Sequence, residues 1–232
     1  MSTRLQESHN GTGDEGHLFE RVKRKLMLKS IVILRKLDRG RAYNVIYEYA
    51  GRPNWEIGDA QPELVRLADS GEIKGEVLEV GCGTGENGLY LSRLGHQVWG
   101  VDFAASAIES AMAKARERGL NANFVVGDVS NLQNLGRVFD SAIDVGLFHS
   151  LDSKQRELFL PSLRLALRPG GTYHLLCISD LEPVPGNHVS QEEIRAAFDA
   201  RVWNINYIRQ ARLRTVSQKN GKLAWLSSIT RR

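Results

Sequence analysis

A glycine-rich segment at residues 81–85, GCGTG, directly follows the apolar run 77–80. This order predicts a buried strand that ends in a tight turn, which is the edge where open α/β sheets bind ligands. A dinucleotide fingerprint, G-x-G-x-x-G, would need its third glycine at position 86, where the chain has Glu86. A carboxylate there would repel a pyrophosphate, whereas S-adenosylmethionine (SAM) has no phosphate and carries sulfonium and ammonium cations. The spacing therefore favours SAM over NAD.

Two aspartates follow later predicted strands. Asp102 ends the segment VWGVD and can accept hydrogen bonds from both hydroxyls of a ribose; the alternative is an N-cap for the helix that begins at 104 or 105. Asp128, in GDV after the third strand, is placed to meet the adenine amino group, and a turn aspartate is the competing interpretation. Asp102 and the glycine loop together are more specific than either alone.

A histidine is the candidate base. His149 lies in GLFHS, directly after the fourth predicted strand, and an imidazole near its ordinary pKa can take a phenolic proton at neutral pH. The competing interpretation is a histidine that makes only a backbone hydrogen bond. Asp144, in the same strand, is expected to hold the cofactor's amino group or a histidine. An oxygen acceptor of high pKa benefits from such a base, whereas a thiolate or a halide does not.

Composition and charge limit the partners. The chain has 232 residues, 42% of them hydrophobic and 25% charged, as is typical of one globular α/β domain. The formal net charge is +4, but residues 17–41 hold nine basic residues against two acidic ones, so the remaining chain is near neutral. This distribution argues against a nucleic-acid substrate. Two cysteines predict neither disulfides nor a metal site, and with no secretory signal the expected compartment is the cytoplasm.

Three regions follow from these patterns. Residues 1–16 are polar and are expected to be disordered. Residues 17–41 form a basic amphipathic helical extension, which either packs on the domain or makes peripheral contact with a membrane surface. Residues 42–232 form the catalytic domain.

After residue 75, short apolar runs alternate with amphipathic stretches, a pattern typical of βαβ units and a parallel sheet. In the helix predicted over 104–118, Ile108, Met112 and Ala115 share one face. The helix that starts near Asp152 is predicted to be kinked or divided by Pro161. The strands are predicted near 76–80, 97–101, 123–126, 141–146, 172–179, 202–208 and 223–229, and the other helices over 86–94 and 191–198.

The ordered set VLEVGCGTG (77–85), GVD (100–102), GD (127–128), FD (139–140) and LRPGG (167–171) resembles the motifs of the class I SAM-dependent methyltransferases. The resemblance implies a Rossmann-like α/β fold with a seven-stranded, mostly parallel sheet, an antiparallel last strand and helices on both faces. It implies SAM as cofactor, S-adenosylhomocysteine (SAH) as product, and no metal. By this resemblance and the loop's position, the residues that line the cofactor are Glu79, Gly81, Cys82, Gly83, Asp102, Phe103, Asp128, Val129 and Asp144, although packing alone also explains Cys82.

Upstream, residues 54–64 (NWEIGDAQPEL) are similar to the W-x-x-G-x-x-x-P segment of the thiopurine, thiol and halide methyltransferases and of bacterial relatives that methylate phenols or hydroquinones. That likeness implies that Trp55, with Gln61, covers the sulfonium end of the cofactor; Trp55 as a core aromatic is the alternative. We therefore predict methyl transfer to a small aromatic hydroxyl compound. The alternatives are S-methylation or halide methylation, and a SAM-binding scaffold without catalysis.

Overall fold

The computed structural model describes residues 39–49 and 53–232, with the side chains of 42–48 and 53–232. Two compact units divide the chain between residues 51 and 52. The described part of the first unit is helix α1, Arg39–Tyr49. The predicted disordered leader 1–16 and nearly all of the extension 17–41 lie outside the described residues, so the predicted boundaries and the membrane contact stay predictions. No described helix is long and apolar enough to span a membrane.

The second unit is built on a seven-stranded sheet with the order β3-β2-β1-β4-β5-β7-β6. All pairs from β3 to β5 are parallel, and β7 runs antiparallel to both of its neighbours, as predicted. The strands are β1 Glu76–Val80, β2 Gln97–Asp102, β3 Ala122–Val126, β4 Phe139–Val145, β5 Leu167–Ile178, β6 Trp203–Leu213 and β7 Lys222–Arg231.

The helices of this unit lie between consecutive strands, as in βαβ crossovers, except the helix Pro62–Asp69, which precedes the first strand. Helix α5, Ser153–Ala166, starts at a capping box, as the sequence predicts. The Asp152 carboxylate accepts a hydrogen bond from the backbone amide of Gln155 at 2.9 Å. The helices are α2 Pro62–Asp69, α3 Glu86–Arg93, α4 Ala105–Glu117, α5 Ser153–Ala166 and α6 Gln191–Ala197, with 3₁₀ turns at Val129–Leu135 and Phe148–Ser150.

Three local predictions are corrected. Pro161 does not divide α5, because Phe159 and Leu163 on either side of it are fully buried and their packing offsets the missing backbone donor. Met112 is 43% exposed, since the buried stripe of α4 runs through Ala111 instead. Strand β6 extends five residues beyond the predicted 208; its polar end, with Arg209 and Arg212, is compatible with an edge strand.

The sheet buries both of its faces, which is why β1 is apolar along most of its length. Leu78 and Val80 pack into the cluster that contains Phe159 of α5, and Val77 packs into the opposite cluster with Leu64 of α2. Because β1 pairs with β2 and β4 in parallel, the carboxyl ends of these strands meet at one edge of the sheet, called the ligand edge below.

Candidate active site

The glycine loop, residues 81–85, joins β1 to α3 at the ligand edge. Its three glycines have positive φ angles between 52° and 82°, a region that side chains with a Cβ rarely adopt. A Cβ at Gly81 would lie 2.9 Å from the Cβ of Leu147. The Gly81 amide donates to the Val101 carbonyl at 2.8 Å and so ties the loop to β2. The glycine conformations and this hydrogen bond therefore hold the backbone of the loop at the ligand edge.

Asp102 ends β2 directly beside this loop. Its carboxylate accepts from the amides of Gly83 and Ala104, each at 2.9 Å. Burial raises the pKa of Asp102, and these backbone hydrogen bonds oppose the rise. The N-cap of α4 is Ala104, which makes no side-chain capping bond, so the alternative that Asp102 caps this helix is wrong. Each carboxylate oxygen has a further lone pair with which to accept a ribose hydroxyl.

Glu79 lies in β1, next to the glycine loop. One carboxylate oxygen accepts from the Asn87 side chain at 3.0 Å and the other from the Gly88 amide at 2.9 Å, which anchors the start of α3. Burial raises the pKa of Glu79 to about 8, and the neighbouring charges of Glu56 and Asp102 add to the rise. The sheet edge beside β1 and β2 is thus an acidic environment.

The acidity of this region matches the cofactor. Among residues 53–232, neither Glu79 nor Asp102 forms an ion pair, although both are buried. Buried carboxylates without a basic partner are stabilised by a bound cation. SAM carries sulfonium and ammonium cations and a ribose whose hydroxyls suit Asp102, so the residues present fit it.

Glu86 does not face this region as an isolated charge. Its carboxylate pairs with Lys114 at 2.8 Å and with Arg118 at 2.8 Å on α4. Burial alone would raise the pKa of Glu86, but the hydrogen bonds from Arg118 and Lys114 outweigh it and lower this pKa. The sequence-based argument against a pyrophosphate therefore rests on the absent third glycine, because the charge that was expected to repel phosphate is already compensated.

The segment that contains Trp55 is fastened at several points. The Thr84 hydroxyl of the glycine loop donates to the Glu56 carboxylate. The Gln61 amide group pairs with the backbone of Arg214 through two hydrogen bonds of 2.9 Å. The structure thus places Gln61, 4% exposed, as a clamp to the β6–β7 connection. Trp55 is 38% exposed, which argues against the core-aromatic alternative.

The other predicted cofactor residues lie at the same edge with different local roles. Asp128 is exposed and accepts from the Ser130 amide at 2.8 Å as the N-cap of the 3₁₀ turn, which is the turn-aspartate alternative. Val129 is buried in the main core. Cys82 is buried, its thiol pKa is raised by burial, and it packs in the cluster beside Phe124. Phe103 is half-buried directly after β2.

Asp144 organises the turn after β4. It is fully buried and accepts hydrogen bonds from the amides of Leu147 at 2.8 Å and Phe148 at 3.1 Å and from the Tyr173 hydroxyl at 2.7 Å. Burial raises its pKa to about 6, and these bonds oppose the rise. The carboxylate thus sets the position of the turn that carries His149.

His149 is half-buried in this turn. Its Nδ1 accepts a hydrogen bond from the Ile178 amide, at the end of β5, at 3.4 Å. This is the backbone contact that the sequence leaves open as an alternative. Burial lowers the pKa of His149 to about 4, and the positive charges of Lys222, Arg156 and His188 lower it further. The imidazole is therefore neutral at pH 7 and presents Nε2–H when Nδ1 accepts.

The site has two chemically different parts. Glu79, Asp102 and the glycine loop form an acidic part over β1 and β2, and His149 lies with Arg156 in a basic part over β4 and β5. No group of three or more metal-ligating side chains occurs within the described ranges. Sequence reasoning missed several positioning residues, for which no local motif exists: Asn87, Lys114, Arg156, Tyr173 and Lys222.

Comparisons with known proteins agree with this geometry. Residues 77–171 match the family described as "Methyltransferase domain". The chain is 39% identical over 171 residues to the 2-heptyl-1-hydroxyquinolin-4(1H)-one methyltransferase of Mycobacteroides abscessus, covering 72% of this chain and 75% of that protein.

Solved structures agree as well. One described as "Conversion of a Disulfide Bond into a Thioacetal Group during Echinomycin Biosynthesis" is 33% identical, with a TM-score of 0.75, and the match covers 83% of this chain and 92% of the other. The SAM-bound magnesium protoporphyrin IX methyltransferase of Synechocystis shares the fold at 18% identity and a TM-score of 0.57, over 73% of this chain and 76% of the other. The match of residues 77–171 to the methyltransferase domain agrees with the donor set described above, which fits SAM. The chain belongs to the class I SAM-dependent methyltransferases.

Proposed function

We propose that this enzyme transfers the methyl group of SAM to a hydroxyl oxygen of a small aromatic compound. The observation that carries the proposal is the 39% identity, over most of both chains, to an enzyme named for a 1-hydroxyquinolinone. The position of a neutral His149 at the ligand edge, beside β5, supports it. The W-x-x-G-x-x-x-P likeness around Trp55 supports placement near the thiopurine methyltransferase-like branch and its phenol-methylating relatives.

The cofactor residues have proposed roles that follow from their positions. Asp102 would accept the ribose hydroxyls, and Gly81 and Gly83 would let the backbone approach the cofactor without a Cβ in the way. Glu79 of β1 and Asp144 of the adjacent strand β4 would contribute negative charge opposite the cations of SAM. Phe103, Cys82, Asp128 and Val129 would border the adenosine, and Trp55 would cover the sulfonium end. When bound, SAM supplies an electrophilic methyl group.

His149 has a narrower role than a general base of ordinary pKa. With a pKa near 4 it is a weak base, and its Nδ1 already accepts the Ile178 amide. We propose that Nε2–H donates a hydrogen bond to the acceptor oxygen and orients it for in-line attack. Most of the rate would then come from orientation and from exclusion of water.

A panel of acceptors with methyl-labelled SAM tests the reaction. We expect transfer to phenols and N-hydroxyquinolinones, and a decrease of about 10-fold to 100-fold in kcat/KM for His149→Ala, as is typical for loss of a positioning contact. His96→Ala is the matched control, since His96 is a half-buried histidine that precedes β2 at the opposite edge. SAM binding without transfer to any hydroxyl compound would overturn the proposal.

Sulfur methylation is the second candidate. It is favoured by the 33% identity to the structure described by conversion of a disulfide into a thioacetal group. Thiophenol in the same panel separates the two, because a thiolate needs neither a base nor a hydrogen-bond donor. Efficient thiophenol methylation that His149→Ala leaves unchanged would favour sulfur over oxygen.

A further inference from the structure

We propose that the acceptor binds as an oxyanion, held by a cationic cluster formed by Arg156 and Lys222 beside His149. This inference rests on the proposed function and deepens it: the substrate class becomes acidic hydroxyl compounds, such as N-hydroxy heterocycles and electron-poor phenols. The two residues belong to separate elements, α5 and β7, and the positive charge of each acts on His149 in the turn after β4.

The sheet topology brings Lys222 to the ligand edge. Because β7 is antiparallel to β5, the first residues of β7 lie beside the last residues of β5, and Ile178 pairs with Ala224. Lys222 therefore lies just beyond the end of β5, where the Ile178 amide contacts His149. A strand that began at the opposite edge would carry no side chain to this region.

Arg156 is held in place without being neutralised by a buried partner. Its Nε donates to the Phe148 carbonyl at 3.2 Å, and its guanidinium carbon lies 4.4 Å from the centroid of the Phe148 ring. Its ion pair is with Glu193, at 3.4 Å, and that carboxylate side chain is 52% exposed. An exposed partner at this distance interacts weakly, so Glu193 compensates the positive charge of Arg156 only in part.

Lys222 is half-buried and forms no ion pair with any residue of 53–232. The two acidic residues of the loop after β5 accept hydrogen bonds from other residues. Asp180 accepts from the Trp225 indole at 3.0 Å, and Glu182 accepts from the Leu223 amide at 2.7 Å. A half-buried ammonium without a carboxylate partner is stabilised by a bound anion.

The charges around His149 are positive from each side. Lys222 of β7, Arg156 of α5 and His188 of the loop after β5 all act on it with the same sign. The nearest acid along the chain, Asp144, is fully buried and accepts three hydrogen bonds from the turn and from Tyr173. The basic part of the site thus favours a negative charge on the acceptor.

An anionic acceptor also explains how transfer proceeds without a strong base. The acceptor loses its proton to solvent as it binds, because the nearby cations lower the pKa of its hydroxyl. A lone pair of its oxygen then forms the O–CH₃ bond while the S–CH₃ bond breaks and leaves its electron pair on sulfur. The oxyanion and the sulfonium both become neutral, so a site with little water favours the step.

The test uses the full chain in complex with SAH and 4-nitrophenol, whose phenolate absorbs at a longer wavelength than the neutral phenol. We expect the bound phenol to ionise at a pH about one unit lower than in free solution. Lys222→Met should reverse most of this shift and move the pH profile of kcat/KM with SAM by the same amount. Lys74→Met is the matched control, since Lys74 is an exposed lysine before β1 at the opposite edge.

The outcomes separate this inference from the proposed function. Methyl transfer to 4-nitrophenol by an enzyme whose bound phenol stays neutral, or whose pH profile is the same in Lys222→Met, would overturn the oxyanion while leaving O-methylation intact. No binding of the phenol to the SAH complex would also overturn it. SAM binding without transfer to any hydroxyl compound would overturn both.

Discussion

The two parts of the site differ in charge and in how the chain builds them. Over β1 and β2, buried carboxylates have raised pKa values, about 8 for Glu79. Over β4 and β5, a half-buried imidazole has a lowered pKa, about 4 for His149. Burial accounts for the largest share of both shifts, and in both cases neighbouring charges of the same sign increase it. Both shifts therefore favour the neutral forms of Glu79 and His149 at pH 7, and a ligand of the opposite charge would complement the charged groups that surround each of them.

One edge of the sheet can thus stabilise a cationic donor and an anionic acceptor side by side. The acidic part is made of residues close in sequence, between Glu79 and Asp102, on two adjacent strands. The basic part draws on Arg156, Ile178 and Lys222 from three elements. Opposite charges brought together in a site with little water attract each other strongly, which holds the reacting atoms in place.

The largest expected effect is in the acidic part. Asp102→Ala should weaken SAM binding about 100-fold or more, or about 3 kcal/mol, because it removes the proposed ribose acceptor and the acceptor for the Gly83 amide. Calorimetric titration measures it, with Asp69→Ala, an exposed aspartate at the end of α2, as the control. His149→Ala should leave SAM affinity within about threefold, since it changes the other part. Equal losses of SAM affinity in Asp102→Ala and His149→Ala would show that the two parts do not act separately.

The basic part should appear in the pH dependence of stability. Because the pKa of His149 is lowered to about 4 in the fold, the unfolded chain takes up a proton below pH 6.5 that the folded chain does not. The free energy of unfolding therefore falls as the pH drops from 7 to 5, by about 1–2 kcal/mol from this group. His149→Gln should remove that part of the slope, measured by urea unfolding at both pH values. The same slope in wild type and variant would contradict the lowered pKa.

The fold and the acidic part were predictable because their signals are local. An apolar strand, three glycines with positive φ and an aspartate at the end of the next strand all lie within residues 77–102. The sequence likewise predicts the capping box at Asp152, since Gln155 is three residues away. Interactions over such short separations leave fixed spacings in the sequence.

The rest depended on contacts between distant residues. Nothing next to Glu86 in sequence indicates that Lys114 and Arg118 neutralise it from another helix. The sequence places Asp144 at the site, but the hydrogen bond that it accepts from the Tyr173 hydroxyl depends on the register of β4 with β5. Lys222 reaches His149 only because the last strand is antiparallel. Cofactor motifs are short-range, whereas the acceptor environment is set by topology.

A smaller effect concerns the charge on Glu79. Since its pKa is raised to about 8, it is mostly protonated at pH 7 without ligand, and a bound cation favours its ionised form. SAM binding should therefore release a proton and tighten by up to about 10-fold between pH 7 and pH 9. Comparison with Glu79→Gln isolates this from titration of SAM itself. Calorimetry in buffers of different ionisation enthalpy counts the proton; an equal proton count in Glu79→Gln would mean that another group titrates.

The smallest expected effect concerns Glu86, an acidic residue that already has basic partners, unlike Glu79 and Asp102. Arg118 is 45% exposed and shares Glu86 with Lys114, so Arg118→Ala should lower the free energy of unfolding by less than about 1 kcal/mol, and less at high salt. SAM affinity should stay within about twofold, because Glu86 keeps its ion pair with Lys114 of α4. Arg116→Ala, an exposed neighbour on the same helix, is the control for charge removal. If SAM affinity instead changes tenfold in Arg118→Ala alone, Glu86 acts on the cofactor, and the acidic part extends beyond Glu79 and Asp102.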